Sequence, residues 1–238
     1  MNRTVFFDRV RVSPFGGSLS QAQVNGLTTL IDAAGKYGVK DVRHLAYALA
    51  TTFHETARTM QPIAEYGRGK GKKYGVKGKY GQVAYGRGYV QLTWDENYER
   101  ADKELGLGGS LLKNFDLALR PDIAAAIMFK GMAEGWFTGR KLVHYFSAQS
   151  DDPVNARRII NGTDKARTIS DYHAVFLAAL MAAGWGAVDA PVAAPVPAAA
   201  VVPTAPEPVL DTKSVGVGSL LSALISILLT IFKRSAKR

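Results

Sequence analysis

A chain of 238 residues, 47% of them hydrophobic, can bury one substantial core, and a formal net charge of +10 directs it towards anionic partners. The absence of cysteine excludes a disulfide-stapled scaffold and a thiolate metal site, and agrees with synthesis in a reducing compartment. Met1 to Val12 contains no apolar core of a signal peptide.

The first predicted helix runs from Ser20 to Ala34, with Ser20 as N-cap and Gly35 as its stop. A second spans Asp41 to about Thr59, with Asp41 as N-cap and Val42, Leu45, Ala46, Leu49 and Phe53 recurring on one apolar face. Stepping by ~100° per residue puts Glu55 off that face, alongside His44, Thr51 and Arg58. Near the helix end and beside apolar neighbours, partial desolvation favours the protonated carboxyl that a general acid needs. Glu65, after Pro62, reads as a loop residue near Arg68, Lys70, Lys72 and Lys73, a setting suited to an ionised base.

From Tyr66 to Tyr89 the pattern breaks into Gly, Tyr and Lys, the signature of a loop or short hairpin. Arg68, Lys70, Lys72, Lys73, Lys77, Lys79 and Arg87 follow one another there without an acid and should attract polyanions. Tyrosines interleave with the lysines, as in nucleic-acid stacking platforms, but aromatic rings stack equally on sugar faces. Further helices are predicted over Trp94 to Leu105, Pro121 to Trp136, Pro153 to Ile160 with Asp152 as N-cap, and Ile169 to Ala183, stopped where relevant by Gly106 and Gly184. The fold class is therefore mainly α.

After Trp185 the composition changes. A globular domain is expected over 1–188, followed at 189–213 by an Ala/Pro-rich linker whose Ala, Val and Pro residues carry no hydrophobic period. Residues 214–232 are uncharged and apolar, near the lower limit of about 17–25 residues for a membrane-spanning helix, and a basic tail, 233–238, follows. A transmembrane or membrane-active helix is expected; the linker and the lack of a polar face weigh against burial on the domain. Basic residues after the span favour a cytoplasmic C-terminus. Without a signal peptide, either the tail inserts from the cytoplasm against that charge bias, or the protein is released by a route other than secretion and its cationic apolar tail attacks an anionic membrane.

Paired carboxylates are what glycosidic hydrolysis needs, one protonated for the leaving oxygen and one ionised to activate water. Two glutamates ten residues apart are, by spacing alone, most often solvated surface charges. Competing chemistries find less support. The four histidines lack zinc spacing, no Gly-x-Ser-x-Gly occurs, and Gly86-Arg87-Gly88 lacks the third glycine of a dinucleotide fingerprint. No metal or cofactor is expected. A tight turn or close approach to a sugar accounts better for those glycines, and His54 reads as a hydrogen-bonded structural residue.

The surroundings of the two glutamates carry more weight. Phe53-His54-Glu55-Thr56, Gln61-Pro62-Ile63 with Glu65-Tyr66-Gly67, Tyr85-Gly86-Arg87-Gly88-Tyr89-Val90-Gln91-Leu92-Thr93 and Asn97-Tyr98 occur in order. Asp116-Leu117-Ala118, Pro121, Trp136-Phe137 and Arg158-Ile159-Ile160-Asn161-Gly162 follow. Over roughly residues 20 to 185 this order resembles the family 19 glycoside hydrolases, which include chitinases and many phage endolysins. The resemblance implies a lysozyme-like, α-rich (α+β) domain. It makes Glu55 the general acid, Glu65 the general base and Thr93 a holder of the attacking water in an inverting mechanism. Gln91, Asn97, Asn161 and Tyr89 become sugar contacts, and Arg167 an arginine of the site network. The base-bearing loop varies across the family, so Glu96, Glu99 and Glu104 stay available, although they fall on a predicted surface helix.

Chitin and peptidoglycan share β-1,4-linked N-acetylated hexosamines, so these residues do not separate the two. The basic apolar tail and the missing cysteines favour peptidoglycan, with an endolysin acting in the bacterial envelope near a membrane and without a nucleic-acid partner. A chitinase, a lytic transglycosylase and a non-catalytic membrane-anchored wall-binding protein are the alternatives.

Overall fold

The computed structural model describes residues 1–186. The expected linker at 189–213, the apolar segment at 214–232 and the basic tail lie outside them. Among the described residues no helix is long and apolar enough to cross a membrane.

The architecture is mainly helical with a small antiparallel sheet, the α-rich class that the sequence predicts. In chain order it comprises α1 (Arg3–Val12), α2 (Gln21–Lys36), α3 (Val42–Glu55), β1 (Ile63–Ala64), β2 (Arg87–Gly88), α4 (Asp95–Glu104), α5 (Ser110–Lys113), α6 (Pro121–Glu134) and α7 (Ala166–Ala182). Short 3-10 turns cover Phe115–Leu119, Leu142–His144 and Asn155–Ile159. The last replaces the helix predicted over Pro153 to Ile160; its N-cap is Val154 and not the expected Asp152, whose carboxylate accepts from the Asn155 N–H at 3.0 Å. Helix α1 was not predicted; Phe6 and Val10 bury one face of it, and Asn2 caps it while its own N–H donates to the Ala183 carbonyl.

The starts of α2 and α3 obey the predicted capping residues. Ser20 forms a reciprocal capping box with Gln23 ahead of α2, and the Asp41 carboxylate accepts from the Arg43 N–H at 2.9 Å ahead of α3. The predicted stops hold at Gly106 and Gly184, at φ +64° and +73°, but not at Gly35. Gly35 stays inside α2, and the turn falls at Gly38, where φ is +66°. Helix α3 ends at Glu55, earlier than the expected Thr59, because Ala57 and Arg58 both adopt positive φ.

That early end matters, because α3 is the central element. Leu45 to Phe53 is buried without interruption, so the helix is enclosed on every side rather than on one apolar face. Helix α7 packs along it, with Tyr172 and Phe176 edge-on to Phe53 at 4.7 and 5.9 Å between ring centroids. Burying a ring such as Phe53 contributes about 1.5–3 kcal/mol. Glu55 stands where this rigid rod reaches the surface.

The sheet places the second glutamate. Ile63 pairs with Gly88 and Ala64 with Arg87, so the segment between them forms one long excursion whose two ends are tied together. Arg87 locks the junction. It is buried, donates to Asp116, the Val83 and Tyr85 carbonyls and the Tyr98 hydroxyl, and lies 3.5 Å over the Tyr85 ring. The glycines beside it serve packing within the protein, not approach to a sugar. A Cβ on Gly88, at φ +82°, would lie 2.9 Å from the Ala118 carbonyl oxygen, and one on Gly86 would meet the Gln91 side chain at 2.8 Å.

Candidate active site

Glu55, Gln91, Thr93, Asn97 and Asn161 line one cleft of about 360 Å³, together with Tyr74, Trp94, Phe137 and Arg157. Residues from α3, the β2–α4 connection, α4 and the turn before α7 thus converge. Five residues singled out from the sequence meet there.

Glu55 is held by an arginine that the motifs did not single out. Arg157 Nη1 donates to Glu55 Oε1 at 2.6 Å, with side-chain exposures of 5% for the arginine and 16% for the glutamate. Its Nε donates to the Asp164 carbonyl at 3.0 Å, fixing the guanidinium plane. Glu55 Oε2 accepts no hydrogen bond among the described residues, which leaves one oxygen to face the cleft. Arg167, the arginine expected in this network, is exposed on α7 and lines a different depression. The sequence of the turn, Asn155-Ala156-Arg157-Arg158-Ile159, does not separate Arg157 from Arg158; only the fold does, by burying the first and exposing the second.

Below Glu55, Tyr47 and Thr51 occupy the same face of α3 at two-turn and one-turn spacing. Both are fully buried, and neither hydroxyl has a hydrogen-bond partner among the described residues. Burial pushes the Tyr47 phenol well up. His54 is half-buried, and burial pulls its imidazole down, opposed by the neighbouring Glu55 carboxylate.

Glu65 follows β1, its N–H donating to the Gly86 carbonyl at 2.8 Å. Both carboxylate oxygens are engaged. Tyr74 Oη donates to Oε1 at 3.1 Å, and the Gly86 N–H reaches Oε2 at 3.3 Å. Glu65 does not itself line the cleft; Tyr74 does, with its ring edge-on to Trp94 at 5.3 Å. The nearby carboxylate raises the Tyr74 phenol, after burial the second influence on it.

Thr93 sits between two residues in rarely used backbone conformations, Gln91 at φ +54° and Trp94 at φ +77°. Strain of this kind costs about 1–3 kcal/mol per residue and collects at functional sites. Gln91 is braced by donating Nε2 to the Ile63 and Gly88 carbonyls, and Asn97 Nδ2 donates to the Thr93 carbonyl at 2.7 Å. Thr93 Oγ1 donates to the Gln91 carbonyl at 2.8 Å, so towards the cleft its hydroxyl offers lone pairs.

Tyr89, expected as a sugar contact, is 1% exposed and belongs to the core, where burial pushes its phenol up to about 12. Glu96, Glu99 and Glu104 lie on α4 outside the cleft lining. Glu99 pairs with Lys79 at 2.6 Å and accepts from the Tyr80 hydroxyl. Among the described residues no cluster of His, Asp or Glu is arranged to hold a metal.

No protein-family model matches the chain. The inactive chitinase-like protein 1 of Hevea brasiliensis is 28% identical over 130 residues, 53% of this chain and 33% of its own. The chain thus spans about a third of the length of that curated relative. A bacterial family 19 chitinase of solved structure is 23% identical, with coverage of 74% of this chain and 93% of that one and a TM-score of 0.46.

Proposed function

We propose that the protein is a family 19-type glycoside hydrolase that cleaves β-1,4 bonds of peptidoglycan by inversion. The observation that carries this reading is the convergence of Glu55, Thr93, Gln91, Asn97 and Asn161 on one cleft, with Glu65 one hydrogen bond behind its Tyr74 wall.

In the reaction, Glu55 protonates the leaving glycosidic oxygen through the oxygen that Arg157 does not hold. A water on the opposite face of the sugar gives one proton to Glu65 and donates its other hydrogen to Thr93, whose own proton is committed to the Gln91 carbonyl. Inversion requires the two carboxyl groups to stand about 6.5–9.5 Å apart, with the water between them. For Glu65 to receive a proton, the Tyr74 hydroxyl must swing off Oε1 or relay the proton itself.

Peptidoglycan is favoured over chitin by net charge and by the apolar run at 214–232 with its basic flank, which suits action beside an anionic membrane. A phage-type lysis enzyme working in the bacterial envelope is the biological role we infer from this combination. Mass spectrometry of fragments from purified peptidoglycan digested in ¹⁸O-water tests the chemistry. Hydrolysis puts ¹⁸O at each new reducing end; an anhydro-sugar end without ¹⁸O identifies a lytic transglycosylase, and cleavage of chitin oligomers alone identifies a chitinase. A non-catalytic wall-binding role is the second reading, favoured by the name of the Hevea relative; binding to cell walls with no fragments released would establish it.

A further inference from the structure

We propose that the cationic arm between Glu65 and Tyr74 recognises the peptide side chains of the glycan, short peptides with free carboxylates and an amino group, and so selects peptide-bearing strands over bare polysaccharide. This rests on the peptidoglycan reading above and names the surface that would enforce it.

The arm is a built structure. Arg68 N–H donates to the Glu65 carbonyl, Lys70 N–H to Gly67, Lys72 N–H to Gly69 and Gly75 N–H to Lys72, all at 2.8–2.9 Å. These successive turns are drawn together where a Cβ on Gly75 would lie 1.8 Å from the Gly69 carbonyl oxygen. Arg68, Lys70, Lys72 and Lys73 are left exposed, and the chain then turns Tyr74 inward to the cleft wall. The charge therefore stands at the rim of the cleft.

The charge is also uncompensated. Arg3, Arg11 and Arg120 each pair with an aspartate and Lys79 with Glu99, while other basic residues such as Lys36, Lys103 and Arg140 stand unpaired but scattered among the described residues. Arg68, Lys70, Lys72, Lys73 and Lys77 have no carboxylate partner among the described residues. Such a cluster beside a cleft concentrates anionic substrate there.

A second recess decides which anion fits. About 190 Å³ in volume, it shares Tyr74 and Trp94 with the cleft, so a substituent leaving the sugar chain can pass over these two rings into it. Lys73 lies on its wall with Asp95 and Glu96, and Asp95 Oδ1 is buried with no hydrogen-bond partner among the described residues. A wall of mixed sign repels a polyphosphate but matches a peptide that carries both carboxylates and an ammonium group.

The test uses the full chain with Lys70→Gln, Lys72→Gln and Lys73→Gln combined, and with Asp95→Asn separately. Substrates are peptidoglycan freed of attached phosphate polymers, the same glycan stripped of peptides by an amidase, and neutral chitin oligomers. The proposal expects the triple variant to lose about tenfold in kcat/KM on peptide-bearing glycan, with no change on stripped strands and an unchanged melting temperature. Salt between 50 and 200 mM should slow the wild type on peptide-bearing glycan and affect the variant less. Equal rates for variant and wild type on peptide-bearing glycan would overturn it, as would an equal loss on both glycans or a loss that appears only with phosphate polymers attached. A wild type that cleaves chitin but neither form of peptidoglycan overturns the substrate reading itself, a different outcome from an arm that makes no distinction.

Discussion

Arg157 holds Glu55 by a part-buried hydrogen bond of 2.6 Å that joins the end of α3 to the turn preceding α7. The guanidinium uses a second nitrogen on the Asp164 carbonyl, so its plane, and with it the direction of the Glu55 carboxyl, is set by two separate segments. Orientation of the Glu55 carboxyl is therefore a property of the tertiary fold and not of α3 alone.

Removing that arginine should harm both folding and turnover. Arg157→Met leaves Glu55 largely buried without its partner and is expected to cost about 3–5 kcal/mol in denaturant unfolding. Arg157→Lys keeps the charge but loses the two-point geometry, and should retain more stability than activity. If Arg157→Lys hydrolyses glycan at the wild-type rate, the guanidinium does not orient the acid.

Tyr74→Phe removes the donor to Glu65 Oε1 while keeping the ring against Trp94. With one hydrogen bond worth about 0.5–1.5 kcal/mol, kcat should change by no more than about tenfold if the hydroxyl only positions the base. A loss beyond a hundredfold would show that the phenol itself carries the proton.

His173 should make the fold acid-sensitive. It is 3% exposed, stacked on Phe146 at 5.1 Å, and burial pushes its imidazole from the ordinary 6.5 down to about 4. Between those values the unfolded chain binds a proton that the folded chain refuses. Its contribution is thus fully present above about pH 6.5, declines as pH falls through this window and levels off below about 4, a total of about 3 kcal/mol. His173→Phe should flatten that part of the stability curve; an unchanged slope would assign the acid sensitivity elsewhere.

Arg87→Lys should act on stability and not on the chemistry, because Arg87 joins Asp116, two carbonyls and Tyr98 away from the cleft lining. A loss of about 2–3 kcal/mol is expected from several forfeited charge-assisted bonds. Folded protein should keep its KM, and a raised KM at unchanged melting temperature would instead assign Arg87 a part in substrate binding.

Much of this was legible from the residues. Caps at Ser20 and Asp41 and the N-terminal proline of α6 placed the starts of α2, α3 and α6, since these signals are local. Glu55, Thr93, Gln91, Asn97 and Asn161, which line one cleft, stand out in the sequence because each sits in a short contiguous motif. Tyr89 and Arg157 were misjudged or missed for one reason: which side chain the core swallows and which it turns to the cleft depends on partners distant in sequence. Tyr89 alternates with Gln91 in a segment that reads as one motif, yet only Gln91 faces the cleft. The break of α3 at Glu55 was hidden too, because nothing in Ala57-Arg58 demands the positive φ that both adopt.

The most direct test is the rate at which Glu55→Gln releases new reducing ends from purified peptidoglycan, beside the wild type and with melting curves for both. Glutamine keeps the shape and still accepts from Arg157, but it has no proton to give. A fall of at least about 10²–10⁴-fold with the fold intact is the predicted result. Hydrolysis by Glu55→Gln within a few-fold of wild type would contradict the assignment of Glu55 as the acid.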